Sequence, residues 1–353
     1  MNILIVRVGA MGDVLHALPA VAALKRVRPQ WRVDWAVDPR WAPLLMGDDE
    51  RGPAVDMVHL APAKEWSKAP LSSATMRSVL TLRKRLREEH YDLVVDMQGT
   101  LRSAVIGKMA GGELLAGYAD PRERLAAMLY KRKITRRGAH VVEQGAALLG
   151  DACGVELQPG AVEIPRAQWA EVWAETEAVL TRPICMLTVG GGWGAKQWST
   201  ERYGALAIEL KRMGFDVVVN APRKDDAIAT SVVESSGGAA RIVVCNVTGL
   251  VSLMRRTDLL VGGDTGPMHL AAAMGVPVVA LFGPTCPERN GPWGPGEKRV
   301  LRDAASVTSY KRSVQTEAGL MNLCVETVVE AVKGLDHPSE QKTLTGDPGG
   351  IRG

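Results

Sequence analysis

Between Asp258 and Thr285 the chain reads DLLVGGDTGPMHLAAAMGVPVVALFGPT, and no other stretch restricts the fold as much. Leu259, Leu260 and Val261 form a short apolar run, and Gly262 and Gly263 let the backbone turn. Thr265 to Pro267 then open a helix with Pro267 at its first position. A second apolar run, Val276 to Phe282, ends in Gly283-Pro284-Thr285. Strand, tight turn, helix and strand is the unit of a parallel sheet, with both loops leaving one sheet edge. Ala271, Ala272 and Ala273 are small enough for the helix to lie close to that sheet. The first amide hydrogens of the helix face the turn, where they and the helix dipole suit a diphosphate. An ordinary strand-to-helix turn would use the same residues with no ligand.

The pattern repeats along the chain. Ile3 to Val8, Val33 to Val37, Val55 to Leu60, Leu93 to Asp96 and Leu114 to Tyr118 are expected strands, with helical patterns between most of them. After a break at Pro159-Gly160 the alternation resumes with Ile184 to Val189, Phe215 to Val219, Arg241 to Cys245 and the two runs already named. This predicts two α/β domains, residues 1–160 and 161–335, with parallel sheets facing a cleft where a site would lie. Residues 336–353 are polar and rich in Gly and Pro, and are expected to be a disordered tail. A helix is expected from Ala167 to Leu180, with Trp169, Val172 and Trp173 packed on one face.

Composition excludes several classes. No apolar run approaches the ~18 residues of a spanning helix. MNILIVRVGA lacks a basic leader and a cleavage site, so it reads as a buried strand and the protein as cytoplasmic. The cysteines, Cys153, Cys185, Cys245, Cys286 and Cys324, have no paired spacing suited to zinc or redox chemistry. Net charge is +4, yet Pro121 to His140 alone holds seven Arg or Lys against one Glu. Such a patch suits an anionic membrane surface, an acidic substrate or nucleic acid, and no nucleic-acid-binding motif accompanies it.

Three loops carry candidate chemistry. Gly9-Ala10-Met11-Gly12-Asp13 is not the spaced three-glycine fingerprint of dehydrogenases. Asp13 stands where a helix should begin, so it reads either as a cap or as a carboxylate able to take a proton from a hydroxyl. His16 lies a turn further on, and Pro19 predicts a kink or restart of that helix. Val189-Gly190-Gly191-Gly192-Trp193-Gly194-Ala195-Lys196-Gln197-Trp198-Ser199 leads to a helix capped by Ser199. Its glycines permit close approach to an anion, and Lys196 can set a positive charge against a phosphate. Asn220-Ala221-Pro222-Arg223-Lys224-Asp225-Asp226 follows the next strand, and either carboxylate can serve a helix start or paired hydroxyls.

Asp264-Thr265-Gly266-Pro267-Met268-His269 with Gly283-Pro284-Thr285 resembles the donor-site signature of the bacterial lipopolysaccharide heptosyltransferases. Met11-Gly12-Asp13-Val14-Leu15-His16 and Ala195-Lys196-Gln197-Trp198 extend the resemblance over nearly the whole chain. It implies a GT-B fold of two Rossmann-like domains, with the acceptor on the first and the nucleotide sugar on the second. It implies that Asp13 is the general base and that Lys196 faces the donor phosphate. Gly192, Asp225, Asp264, Thr265, Gly266 and His269 would complete the donor site, with Asp226 an alternative to Asp225 at the ribose. Asp96-Met97-Gln98-Gly99 and the basic run from Arg122 resemble heptosyltransferase I, which implies acceptor contacts at Lys64, Lys68, Arg102, Arg122 and Arg124. The glycine-rich loop before Lys196 is closer to the second heptosyltransferase type.

The implied activity is inverting transfer of heptose from ADP-heptose to the Kdo of Kdo-lipid A, with peripheral contact at the inner membrane. No Asp-x-Asp metal motif is present, so neither metal nor cofactor is expected. The alternatives are a heptosyltransferase acting later in the core and a non-catalytic binder of anionic glycolipid.

Overall fold

The computed structural model describes residues 1–48, 52–176, 180–190, 193–309, 313 and 315–335. The expected tail at 336–353 lies outside the described residues. The chain divides into two compact units. The first comprises Met1–Trp173 with Asn246–Ser252 and Pro287–Pro295, and the second comprises Ala174–Cys245, Leu253–Cys286 and the chain from Gly296 on.

In the first unit, strands β1 (Asn2–Val6), β2 (Arg32–Val37), β3 (Met57–Leu60), β4 (Leu93–Asp96), β5 (Leu114–Tyr118) and β6 (Arg132–Ile134) form one parallel sheet. Its order is β3-β2-β1-β4-β5-β6. Its described helices include α1 (Met11–Val27), α2 (Ala63–Trp66), α3 (Ser73–Glu88), α4 (Leu101–Met109), α5 (Val141–Cys153) and the start of α6 (Gln168–Thr176). Leu4, Val6 and Val94 of the sheet pack against Leu82 and Leu86 of α3 and Ala104 and Ile106 of α4. The two central strands are buried along almost their whole length, as expected where helices cover both faces.

Local chemistry sets the helix ends. Ser72 Oγ accepts the Thr75 N–H at the start of α3, and Thr100 and Ser103 cap α4 reciprocally. His140 Nδ1 accepts the Val142 N–H at the start of α5, which ends at Gly154 in the left-handed region (φ 68°). Helix α1 runs as one element through Pro19, so the expected restart is absent.

The second unit repeats the plan with β7 (Ile184–Thr188), β8 (Asp216–Ala221), β9 (Ala240–Val244), β10 (Leu259–Gly263), β11 (Val278–Phe282) and β12 (Lys298–Arg302). They form a parallel sheet ordered β12-β11-β10-β7-β8-β9. Its described helices include α7 (Thr200–Arg212), α8 (Ala227–Ser235), α9 (Val247–Arg256), whose first residues belong to the first unit, and α10 (Gly266–Ala273). The core joins Leu187, Val217 and Val261 to Tyr203, Leu206 and Leu210 of α7.

The units divide within α6. Its start is tied to the first unit, because Asp48 Oδ2 accepts the Gln168 N–H (2.8 Å) and Ser252 Oγ donates to Glu171 Oε1 (2.9 Å). Its end is held by Arg256, whose guanidinium donates to the Ala174 carbonyl. The expectation that Trp169 and Val172 pack inward is corrected: both are about half exposed, and the small Ala170 and Ala174 form the buried face instead.

Candidate active site

In an open parallel sheet, ligands bind beyond the carboxyl ends of the strands, where the strand order reverses. That point falls between β1 and β4 in the first sheet and between β7 and β10 in the second. In the first unit Asp13 and Gln98 follow β1 and β4, and in the second Lys196 and Asp264 follow β7 and β10; Lys64, Arg122 and Asp225 follow β3, β5 and β8.

Beyond β7, the chain reaches a 3-10 turn at Gly194–Lys196, and beyond β10 it reaches Asp264. Lys196 Nζ donates to Asp264 Oδ2 at 2.5 Å, and His269 Nε2 donates to Asp264 Oδ1 at 3.0 Å. All three side chains are largely buried. Burial alone would push the Asp264 carboxyl up. The hydrogen bond and charge of His269, with the charge of Lys196, outweigh it and hold the group well below the usual carboxylate range. Trp193 places its ring 5.4 Å from Lys196 Nζ, within cation–π range.

Thr265 stands at the N-cap of α10 in an extended conformation, and Gly266 is the first helical residue. Pro267 is therefore second in the helix. Helix α10 packs on β10 and β11, and its Ala271, Ala272 and Ala273 are buried. The hydroxyls of Thr188, Thr265 and Thr285 are buried at these strand ends and make no hydrogen bond among the described residues. Close approach explains the paired glycines of β10. A Cβ on Gly262 would lie 1.8 Å from Thr188 Oγ1, and one on Gly263 would lie 3.1 Å from the Lys196 carbonyl oxygen. Gly192 lies outside the described residues.

After β8, Asp226 caps α8 by accepting the Ala229 N–H (3.0 Å). Asp225 is exposed and pairs only loosely with Arg223, at 3.3 Å. The helix start therefore uses one carboxylate and leaves the other outward.

In the first unit, Asp13 is the third residue of α1. Its Oδ2 accepts the Ala10 N–H (3.0 Å), and its Oδ1 pairs with Arg7 Nη2 at 2.7 Å. Arg7 also donates through Nη1 to the Met97 carbonyl at the end of β4. Gln98 Oε1 accepts the Val8 and Gly9 N–H groups at 2.8 and 3.3 Å. Arg7 and Gln98 thus hold the loop that carries Asp13. Neither Gln98, although it lies in the Asp96–Gly99 motif, nor Arg7 is assigned a role from the sequence. The available signal is a charged residue inside the apolar run that leads into the glycine turn. His16 is buried, its ring edge-on to His140 at 5.5 Å.

Arg102 of α4 donates to the Ala63 carbonyl (3.2 Å), which places it beside Lys64. Glu123 Oε2 accepts the Leu101 N–H (2.8 Å), which brings Arg122 and Arg124 to the start of α4. Lys68 follows α2 and is exposed. Other basic residues of this segment have structural partners: Lys131 and Arg132 bind main-chain carbonyls, and Arg136 and Arg137 pair with Asp120 and Asp151. Among the described residues, no group of three His, Cys, Asp or Glu side chains is placed to hold a metal ion.

Comparison with known proteins bears on family and fold. The family model for glycosyltransferase family 9 (heptosyltransferase) matches residues 79–318. Lipopolysaccharide heptosyltransferase 1 of Pseudomonas aeruginosa is 29% identical over 322 residues, spanning 89% of this chain and 87% of its own. Lipooligosaccharide heptosyltransferase 2 of Haemophilus influenzae is 28% identical over 315 residues, spanning 83% and 86%. Among solved structures, Escherichia coli heptosyltransferase WaaC with ADP superposes with a TM-score of 0.76 at 23% identity, over 94% of this chain and 99% of that one. That likeness is one of fold, GT-B, with two Rossmann-like α/β units of the kind described above.

Proposed function

The chain belongs to glycosyltransferase family 9, the heptosyltransferases, and from that premise we propose that it transfers heptose from ADP-heptose to the Kdo of Kdo-lipid A, with inversion. The observation that carries the donor half of this reading is the buried array of Lys196, Asp264 and His269 beside the first turn of α10. A fixed cation and a helix amino terminus at one strand edge suit a leaving diphosphate. The second unit accordingly binds the nucleotide sugar through Lys196, Thr265 and Gly266, with Asp264 and His269 holding Lys196 in place. Asp225, left outward by the α8 cap, takes the ribose hydroxyls. Gly192, four residues before Lys196 in the sequence, is assigned to the donor with these residues.

The first unit supplies the acceptor and the base. Lys64, Lys68, Arg102, Arg122 and Arg124 attract the anionic acceptor, and Asp13 receives the proton of the attacking hydroxyl. As that oxygen bonds to the anomeric carbon, the bond from carbon to the diphosphate oxygen breaks. ADP leaves with its new charge against Lys196 and the α10 amides. The reaction takes place on the cytoplasmic side of the inner membrane. A second reading, transfer to a later core position, is favoured by the glycine-rich loop before Lys196 and by the similarity to a heptosyltransferase 2.

Incubation with ADP-heptose and either Kdo-lipid A or its singly heptosylated product separates the two. Release of ADP and a heavier glycolipid only from Kdo-lipid A supports the first reading, and product only from the second acceptor replaces it. Asp13→Ala should lower kcat by roughly 100- to 10,000-fold with donor KM little changed. Near-normal turnover would remove Asp13 from the mechanism.

A further inference from the structure

One face of the first unit combines exposed apolar side chains with basic ones, on elements that pack side by side. Helix α3 packs on α4, and α4 packs on the 3-10 turn Arg124–Met128. Trp66 Nε1 donates to Ser78 Oγ (3.1 Å), which ties α2 to α3. Several outward residues on this row are large and apolar, set among exposed polar and basic ones. Leu71, just ahead of α3, is 91% exposed, and Met76 and Leu80, one turn apart on α3, are each 57% exposed. Val105 on α4 and Leu125 and Met128 on the 3-10 turn are exposed as well, Met128 to 78%. Scattered exposed apolar residues need no explanation, but a run of them across adjoining elements does.

The charges between them are mostly of one sign. Leu80 is followed one turn later by Lys84, and Val105 by Lys108 on the same outward stripe of α4. Arg77 and the acceptor-side cations add to this. Few acids lie among them: Glu123 accepts the Leu101 N–H, Glu88 offsets Lys84 across 3.8 Å, and Glu65 on α2 is exposed, against Arg77, Arg83, Lys84, Arg85, Arg87 and Lys108. Apolar tips among long basic side chains match the interface of an anionic bilayer, with the tips entering the acyl boundary and the cations meeting headgroup phosphates. A protein partner or second copy would more usually meet a surface depleted in lysine.

We propose that this face, running from Leu71 through α3 and α4 to Met128, docks the enzyme on an anionic phospholipid bilayer. The proposal rests on the reading that the acceptor is membrane-embedded, and it identifies the surface that brings the acceptor-side residues to it. No element of the face is long enough to span the membrane, so docking is peripheral and reversible.

Flotation of the full-length protein with phosphatidylcholine vesicles, and with vesicles containing about one quarter phosphatidylglycerol, measures docking without any substrate. The wild type should float with the anionic vesicles at least tenfold more than with the neutral ones. Raising salt from 0.1 to 0.5 M, which shortens the screening length from about 10 to about 4 Å, should release most of it. A variant with Met76→Gln, Leu80→Gln, Val105→Gln and Met128→Gln should lose at least tenfold in anionic partitioning. Its transfer to a deacylated, water-soluble acceptor should be unchanged, while transfer to vesicle-embedded acceptor falls. Arg77→Gln with Lys84→Gln and Lys108→Gln should weaken partitioning and its salt dependence together. All the substituted side chains are exposed, and circular dichroism checks the fold. Equal flotation of wild type and the apolar variant overturns the proposal. So does an oligomer in sedimentation that the variant dissolves, since a second copy would then cover the face. Flotation as expected without heptose transfer would leave docking standing and sink the activity reading instead.

Discussion

Asp264 receives both Lys196 and His269, and a buried carboxylate in that position sets stability and chemistry together. Removing one partner of a buried ion pair strands the other charge, at a cost of about 3 kcal/mol or more. Asp264→Asn should therefore lower the free energy of unfolding by about that amount and raise donor KM at least tenfold, because Lys196 loses its anchor. The pH dependence has a definite sign. The folded carboxyl is held below its unfolded value, so its stabilisation is complete above the unfolded value of about 3.9 and is lost as pH falls below it. Urea unfolding measured from about pH 5 downward should show a shallower acid decline in Asp264→Asn than in the wild type. Parallel declines would mean that Asp264 contributes no linkage. Arg7 acts at the other strand edge, on the proposed base. Arg7→Met should lower kcat about tenfold or more with donor KM unchanged, and Arg7→Lys should recover most of it. A rise in donor KM with kcat intact would place Arg7 outside the positioning of Asp13.

At the level of elements, the glycines of β10 show why one position tolerates no side chain. The strand passes so close to Thr188 that Gly262→Ala must displace either β7 or the hydroxyl. A destabilisation of about 2–4 kcal/mol is expected, with Thr188→Ala relieving about 1 kcal/mol of it in a double-mutant cycle on chemical denaturation. Additive effects would show that the contact with the Thr188 carbonyl, also within 2.8 Å of the added atom, carries the whole cost. The sequence displays those glycines, but it shows them as turn formers, since the neighbour that forbids a side chain lies on another strand. The same logic divides legible strands from missed ones. Central strands such as β1, β4, β7 and β10 are buried on two sides and read as apolar runs, and the edge strands β3 and β9 keep enough apolar residues to be read as well. β6, with Arg132 and Lys133, and β12, with Lys298, Arg299 and Arg302, are short or charged edge strands that carry no such pattern. Motif residues such as Lys196 and Asp264 were visible because glycines mark their turns. Gln98 reaches Val8 across ninety residues, and nothing local announces that contact.

Over the whole molecule, the two sheets share one strand order, and Asp13 in one and Lys196 with Asp264 in the other follow the strands where that order reverses. The alternation of strands and helices made this duplication legible. What it concealed is that neither unit is one continuous piece, because the segment Pro287–Pro295, far along the chain, belongs to the first unit. The link is specific. His140 Nδ1 already accepts the Val142 N–H, so Nε2 carries the proton and donates to the Gly291 carbonyl at 3.1 Å. Trp293 lies against the His140 ring at 4.9 Å, and His140 in turn meets His16 of α1. A large aromatic side chain in such a contact contributes about 3 kcal/mol when truncated. Trp293→Ala should therefore loosen the first unit, although the residue lies in the second half of the sequence. Hydrogen exchange followed by mass spectrometry should show faster exchange at the start of α5 and along α1, with β7 and β10 protected as in the wild type. Faster exchange in β7 and β10 with α1 unchanged would assign the segment to the other unit and sink this account of how the chain is divided.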